Sequence, residues 1–313
     1  MKKILIVLFF IFFQLTIIKS QDIHFSQFYN DISYENPSYI GNHEGLSKIN
    51  FINRDQWRSV SVPYKTFYFG FENKIKILSG ALGFNFFQDK SGDLNLKTNQ
   101  FNVVYSGSFN VSKSKIFLGI YSGIGQLKID YSNLSLLDYE AFSISSVNYL
   151  DLGLGIKHDY NLNEKILLEN SFSFSHINSP LISLSNNSEN NLSVKYIYKF
   201  KMTYSLLYNN IVSSFKIVDQ GDFSKIEIGS FYRINTPLGY SFSPGIGYRN
   251  KDAVILHFGF NSKNYAVDFL YDLNVSNLSN ASNYKGGVEV GFVYLFGNKK
   301  NVEFKKHICP DYL

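Results

Sequence analysis

Large apolar residues alternate with small or polar ones about fourteen times along this chain of 313 residues, and no other feature restricts its fold as much. Phe67, Phe69 and Phe71 stand on one side of residues 66–72, with Thr66, Gly70 and Glu72 on the other. Residues 253–260 set Val254, Leu256, Phe258 and Phe260 against Ala253, His257 and Gly259. Residues 287–296 set Val288, Val290, Phe292, Tyr294 and Phe296 against Gly287, Glu289 and Gly291. Successive side chains of a strand point to opposite faces, so period two means two unlike environments. A soluble sandwich alternates as well, so the choice between sandwich and membrane barrel needs support from outside the strands.

The N-terminus supplies it. Lys2 and Lys3 precede an unbroken apolar run from Ile4 to Phe13, and Lys19-Ser20 leads into Gln21. This is the pattern of a secretory signal, too short for a secure membrane span, with cleavage expected after Ser20. Cys309 is the only cysteine, so no internal disulfide can form. Removing Lys2, Lys3 and Lys19 lowers the formal charge from +5 to +2, which is not a nucleic-acid-binding balance. Aromatic residues make up 17% of the chain, far more than a water-facing surface tolerates and what lipid-facing strands and interfacial girdles require.

The alternation predicts strands over 46–54, 64–75, 79–88, 97–109, 114–128, 147–160, 164–175, 192–207, 210–217, 223–234, 238–249, 253–261, 263–273 and 285–297. The expected fold is all-β: a transmembrane antiparallel up-and-down barrel of about 14 strands over residues 21–297. Residues 21–45 form a separate N-terminal motif segment, periplasmic or plugging, and 298–313 a periplasmic tail. The connections show a parity that a sandwich has no reason to keep. Three odd-numbered ones are long (129–146, 176–191 and 274–284), whereas even-numbered ones such as 110–113 and 161–163 are mostly short. Outer-membrane barrels have short periplasmic turns and longer outside loops. Pro244 cannot donate to a ladder, so a bulge or strand break is expected there.

Mid-strand charges fall on the polar face: Glu72, Asp151, Glu169, Glu227, Asp268 and Glu289 against Lys195, Lys199 and Lys201, with His257 among them. A charge facing lipid at the midplane costs about 2–4 kcal/mol, so these are lumen candidates. Catalytic and cofactor signatures are missing. There is no Gly-x-Ser-x-Gly elbow, phosphate loop or zinc signature, and the six histidines are dispersed without ligand spacing. No cofactor, metal or catalytic residue is therefore assigned.

One further pattern is specific. The chain reads Gln21-Asp22-Ile23-His24-Phe25-Ser26-Gln27-Phe28-Tyr29, then Glu35-Asn36-Pro37-Ser38 and Gly41, then Asn53-Arg54-Asp55-Gln56-Trp57 and Tyr64-Lys65-Thr66. This resembles the PorP/SprF family of outer-membrane proteins of the type IX secretion and gliding system. That family opens with Gln-Asp-Pro-His-Phe-Ser-Gln-Phe, followed by Asn-Pro-Ala, Gly and Arg-Asn-Gln-Trp. Here Ile23, Ser38 and Asp55 replace the proline, the alanine and the asparagine, and the closing Cys309-Pro310 resembles a family ending. The resemblance implies a non-enzymatic accessory barrel that helps export or anchor a surface adhesin through the partner's C-terminal sorting domain. It also implies contact with periplasmic ring and motor components, in a setting of membrane lipid and without nucleic acid. His24, Phe25, Ser26, Gln27, Phe28, Tyr29, Asn36, Pro37, Arg54, Gln56 and Trp57 are then the candidates for partner binding or plugging. Packing against the inner wall is the plain alternative for the segment, and an interfacial girdle role the alternative for Trp57. A passive porin for small solutes is the competing function.

Overall fold

The computed structural model describes residues 22–56, 62–75, 80–92, 96–129, 144–184, 190–276, 279 and 282–297. Fourteen antiparallel strands close into one barrel in chain order. They are β1 Ser47–Gln56, β2 Tyr64–Ile75, β3 Gly80–Ser91, β4 Leu96–Val111, β5 Ser114–Lys128, β6 Ser146–Asn163 and β7 Ile166–Ser175. There follow β8 Lys195–Ser205, β9 Asn210–Gln220, β10 Phe223–Asn235, β11 Ser241–Arg249, β12 Ala253–Asn261, β13 Tyr265–Asn274 and β14 Lys285–Phe296. Each strand pairs with its chain neighbours, and β14 returns to β1 from Ser47 opposite Phe296 to Gln56 opposite Gly287. Closure satisfies every strand edge, as hydrocarbon demands of a spanning sheet.

The alternation in sequence becomes the two faces of the wall. On β5, Leu118, Ile120 and Ile124 point outward, while Phe117 and Tyr121 are buried inside. On β12, Phe258 is 52% exposed on the outer face and His257 4% exposed on the inner one. Outward rings from neighbouring strands touch in series, with Phe51–Phe69 centroids 4.9 Å apart and Phe69–Phe84 and Phe84–Phe101 each 5.8 Å apart. Such an aromatic band suits a lipid-facing surface.

The two mouths differ. One end carries the turns 112–113, 164–165, 206–209, 236–240 and 262–264, and Ser112 takes φ 51 in the first of them. The other carries the long connections 129–145, 176–194 and 275–284. Leu127, Ile129, Tyr149, Ile182, Leu184 and Leu192 cluster across two of these. That cluster explains a boundary that differs from expectation. Leu192 belongs to the connection, where its N–H bonds the Pro180 carbonyl, and β8 starts at Lys195.

Pro244 does not break β11. The strand stays in register with β12 through Pro244 opposite Phe258, and with β10 the register is the same on either side. Only the pairing of Tyr232 and Arg233 with Pro244 and Ser243 is missing, because proline has no N–H to give on that side. Bulges lie instead at Asp272/Leu273 and Asn161/Asn163.

Residues 22–45 are not outside the barrel. They run through it, irregular except for a short 3-10 turn at Pro37–Tyr39, and most of their side chains are buried. They form the plug described next.

Candidate functional site

The plug crosses the lumen from the long-loop mouth, where Asp22 lies, to the short-turn mouth, where His43 lies. At the first mouth Asp22 accepts from His176 Nε2 at 2.6 Å and sits 3.4 Å from the Lys195 ammonium. His176 Nδ1 bonds Asp151 at 2.8 Å, and Asp151 also accepts from Gln100 and Tyr121. Burial pulls the His176 pKa down, but the Asp22 and Asp151 carboxylates outweigh it and hold the imidazole up at about 9. The same contacts overcome the effect of burial on Asp22, whose pKa lies below the usual carboxylate range.

Ser26 sits one layer deeper, among four buried charges. Its hydroxyl donates to Asp272 at 2.8 Å and accepts from Arg249 at 3.0 Å and from Arg54. Its backbone N–H donates to Glu289 at 2.7 Å. Arg54 forks between Asp272 at 2.8 Å and Glu289 at 2.9 Å, and Arg249 pairs with Asp272 at 2.6 Å. Buried charges persist only when paired and hydrogen-bonded, and here the pairing runs through the plug.

Further along, Tyr29 bonds His257 at 2.6 Å, and His257 bonds Asp268 at 2.9 Å. Asp31 accepts from Lys199 and Lys201, each at 3.2 Å. Glu35 pairs with Lys216 at 3.0 Å, and its carbonyl accepts from Ser173 at 2.7 Å. Asn36 caps the 3-10 turn by accepting from the Ser38 N–H at 2.9 Å, and its amide donates to the Phe172 carbonyl at 3.2 Å. Gly41 N–H donates to Glu72, which also pairs with Lys48 at 2.6 Å. Between these polar ties lie apolar ones. Phe25 packs edge-on to Tyr34 and Tyr68, and Ile40 packs with Ala81, Val104 and Tyr121. Phe28 lies against Gly229 and Gly247, where a β-carbon would collide with its ring. Fully burying an aliphatic or aromatic side chain is worth about 1.5–3 kcal/mol, so Phe25, Phe28, Ile32 and Ile40 alone give the plug a large drive to dock.

The sequence candidates are placed as follows. Phe25, Ser26, Gln27, Phe28, Tyr29, Asn36 and Pro37 are buried in the lumen, and His24 is half-buried near its long-loop end. Arg54 is in the Ser26 cluster, and Gln56 ends β1 opposite Tyr64 and Gly287. Trp57 and the tail 298–313 lie outside the described residues. Glu72, Lys195, Lys199, His257, Asp268, Lys201 and Glu289 touch the plug directly. Asp151 reaches it through His176, Glu169 through Lys201 and Glu227 through Lys216.

Arg249, Asp272, Lys216 and His176 were not among the candidates. Strand parity could have found the first three, since Arg249 continues the inward row of Gly245 and Gly247, and Asp272 that of Asp268. His176 lies on a connection, where period carries no signal. Among the described residues no group of three or more His, Cys, Asp or Glu is arranged to hold a metal.

The description "Type IX secretion system membrane protein PorP/SprF" matches residues 17–294. The chain belongs to the PorP/SprF family. The PorP/SprF barrel also resembles solved structures in fold. It is similar to the Ralstonia pickettii toluene transporter TbuX at 12% identity and TM-score 0.53, covering 84% of this chain and 92% of that one. It is similar to the CymD monoaromatic hydrocarbon channel at 10% identity and TM-score 0.52, with the same coverage. No curated protein matches the sequence. A type IX secretion membrane family and a closed fourteen-strand barrel together place the protein in the outer membrane.

Proposed function

We propose that this PorP/SprF barrel is a non-enzymatic accessory protein of type IX secretion. It helps export or anchor one exported surface protein, a gliding-type adhesin, through that partner's C-terminal sorting domain. The observation that carries the reading is the lumen filled from mouth to mouth by the chain's own N-terminal segment, tied by Asp22–His176, the Ser26 cluster and Glu35–Lys216. A lumen occupied in this way favours work at the two mouths over passage through the centre. Family membership supports secretion as that work. The periplasmic side of the same barrel is where ring or motor components would be met.

Passage of a small solute is the second reading, favoured by a fold shared with a toluene transporter and a hydrocarbon channel. Deleting the gene separates the two. Loss of one adhesin, or a small set, from the cell surface, with that adhesin's C-terminal domain recovered on the purified barrel, supports the accessory role. An unchanged surface proteome with reduced solute uptake supports the porin.

A further inference from the structure

A cavity of about 410 Å³ opens at the short-turn mouth, between the plug and the ends of β1 and β7 to β14. In outer-membrane barrels this mouth faces the periplasm. The acids and lysine in its wall already have partners. Asp31 and Glu169 flank Lys201 at 3.2 Å each, and Asp268 accepts from His257 at 2.9 Å. Arg233 is different. It projects from β10 into the cavity with its guanidinium over the Phe231 ring, 5.4 Å from its centroid. Its Nε is buried with no hydrogen-bond partner, and among the described residues no carboxylate lies within ion-pair distance of it. Four other buried atoms on the same wall lack hydrogen-bond partners, Asn50 Oδ1, His257 Nδ1 and the two ring nitrogens of His43, of which Nε2 stands 3.6 Å from Glu72.

Buried polar atoms in folded proteins are almost always satisfied, so the orphaned Arg233 donor at the cavity wall indicates an acceptor group that fills it. Arginine's planar fork matches a carboxylate with two parallel hydrogen bonds. The size is that of a small-ligand pocket. We infer that the periplasmic vestibule is a carboxylate-binding site, with Arg233 as the anchor. The carboxylate could come from a free dicarboxylic acid in the periplasm or from an acidic side chain of a protein segment entering the mouth. This goes beyond the proposed role in secretion and does not depend on it.

The test is calorimetric titration of the full-length barrel in a neutral detergent with three probes: succinate, N-acetyl-Ala-Glu-Ala-amide and its glutamine counterpart. Saturable binding of succinate or of the glutamate peptide, with none of the glutamine peptide, is expected. R233Q should weaken it by about tenfold or more, and R233K should restore only part, because lysine cannot bind bidentately. T203E leaves Arg233 in place but adds a competing carboxylate to the cavity wall, and should abolish binding while the barrel keeps its folded gel mobility. Succinate binding alone assigns a free solute as the source, peptide binding alone a protein segment, and either supports the site. Failure of both probes to saturate, or binding equal in wild type, R233Q and T203E, overturns it. Neither result bears on the adhesin phenotype of the gene deletion, so the two proposals fail separately.

Discussion

Asp22 and His176 meet at 2.6 Å at the long-loop mouth, and this contact ties the start of the plug to the connection after β7. It makes the docking of the plug depend on pH. The His176 pKa is raised from 6.5 to about 9, so its contribution is complete below about 6.5 and is lost as pH rises through 9. Asp22 is shifted downward from 3.8, so its contribution is present above that value and disappears as pH falls below it. Hydrogen exchange over residues 22–30, corrected for intrinsic rates, should therefore speed up from neutral pH toward about pH 10, one unit past the His176 value. In H176Q that alkaline limb should be absent, and exchange should already be fast at neutral pH.

Arg54 holds Asp272 and Glu289 together around Ser26, and all four are buried. Removing one partner of a buried ion pair costs about 3–5 kcal/mol, because the other charge is left uncompensated. R54M should lower the unfolding free energy from denaturant titration by about that much, seen as a lower midpoint, and expose residues 22–30 to protease. S26A, which removes one hydroxyl from the same cluster, should cost about 1–3 kcal/mol. A smaller loss for R54M than for S26A would show that the cluster is not organised around the guanidinium.

Gly247 on β11 leaves room for the Phe28 ring, and a β-carbon there would lie 2.7 Å from it. Overpacking of this kind costs about 1–3 kcal/mol. G247V should loosen the plug, and F28A in the same chain should relieve the clash and recover part of the folded gel mobility. No recovery in the double variant would separate Gly247 from plug docking.

The outer face makes a different prediction. Phe258 is 52% exposed on the sheet, whereas Leu238 is 83% exposed on a turn beyond it. F258R should cost about 2–4 kcal/mol, because it carries charge into hydrocarbon. L238R should stay within about 0.5 kcal/mol. Heat-modifiable gel migration reads both, and equal tolerance would move Phe258 out of the lipid-facing band.

The wall was legible in the sequence because each strand must present two environments. Rows such as Phe67, Phe69 and Phe71 against Glu72 write those environments out at period two. Strand ends were less so. Leu192 looks like strand in sequence, but its N–H bonds the loop carbonyl of Pro180, and β9 runs on to Gln220 because Lys195 pairs with it. The course of the plug could not be read. Residues 22–45 have no period, and their ties join positions as distant as Ser26 and Asp272 or Asp22 and His176. The motif marked the segment as special, whereas its route through the lumen is a property of the closed barrel. Pro244 illustrates the limit of a local rule. Its missing N–H interrupts pairing on one side only, and the β12 side carries the strand through.

The filled lumen is the centre of this account, and planar-bilayer conductance tests it most directly. The full-length barrel, with residues 22–45 in place, should insert without opening a steady pore. A variant in which R54M and G247V together release the plug should conduct in large, long-lived steps. Steady conductance of the unaltered protein, equal to that of the released variant, would contradict a sealed barrel and favour a solute channel.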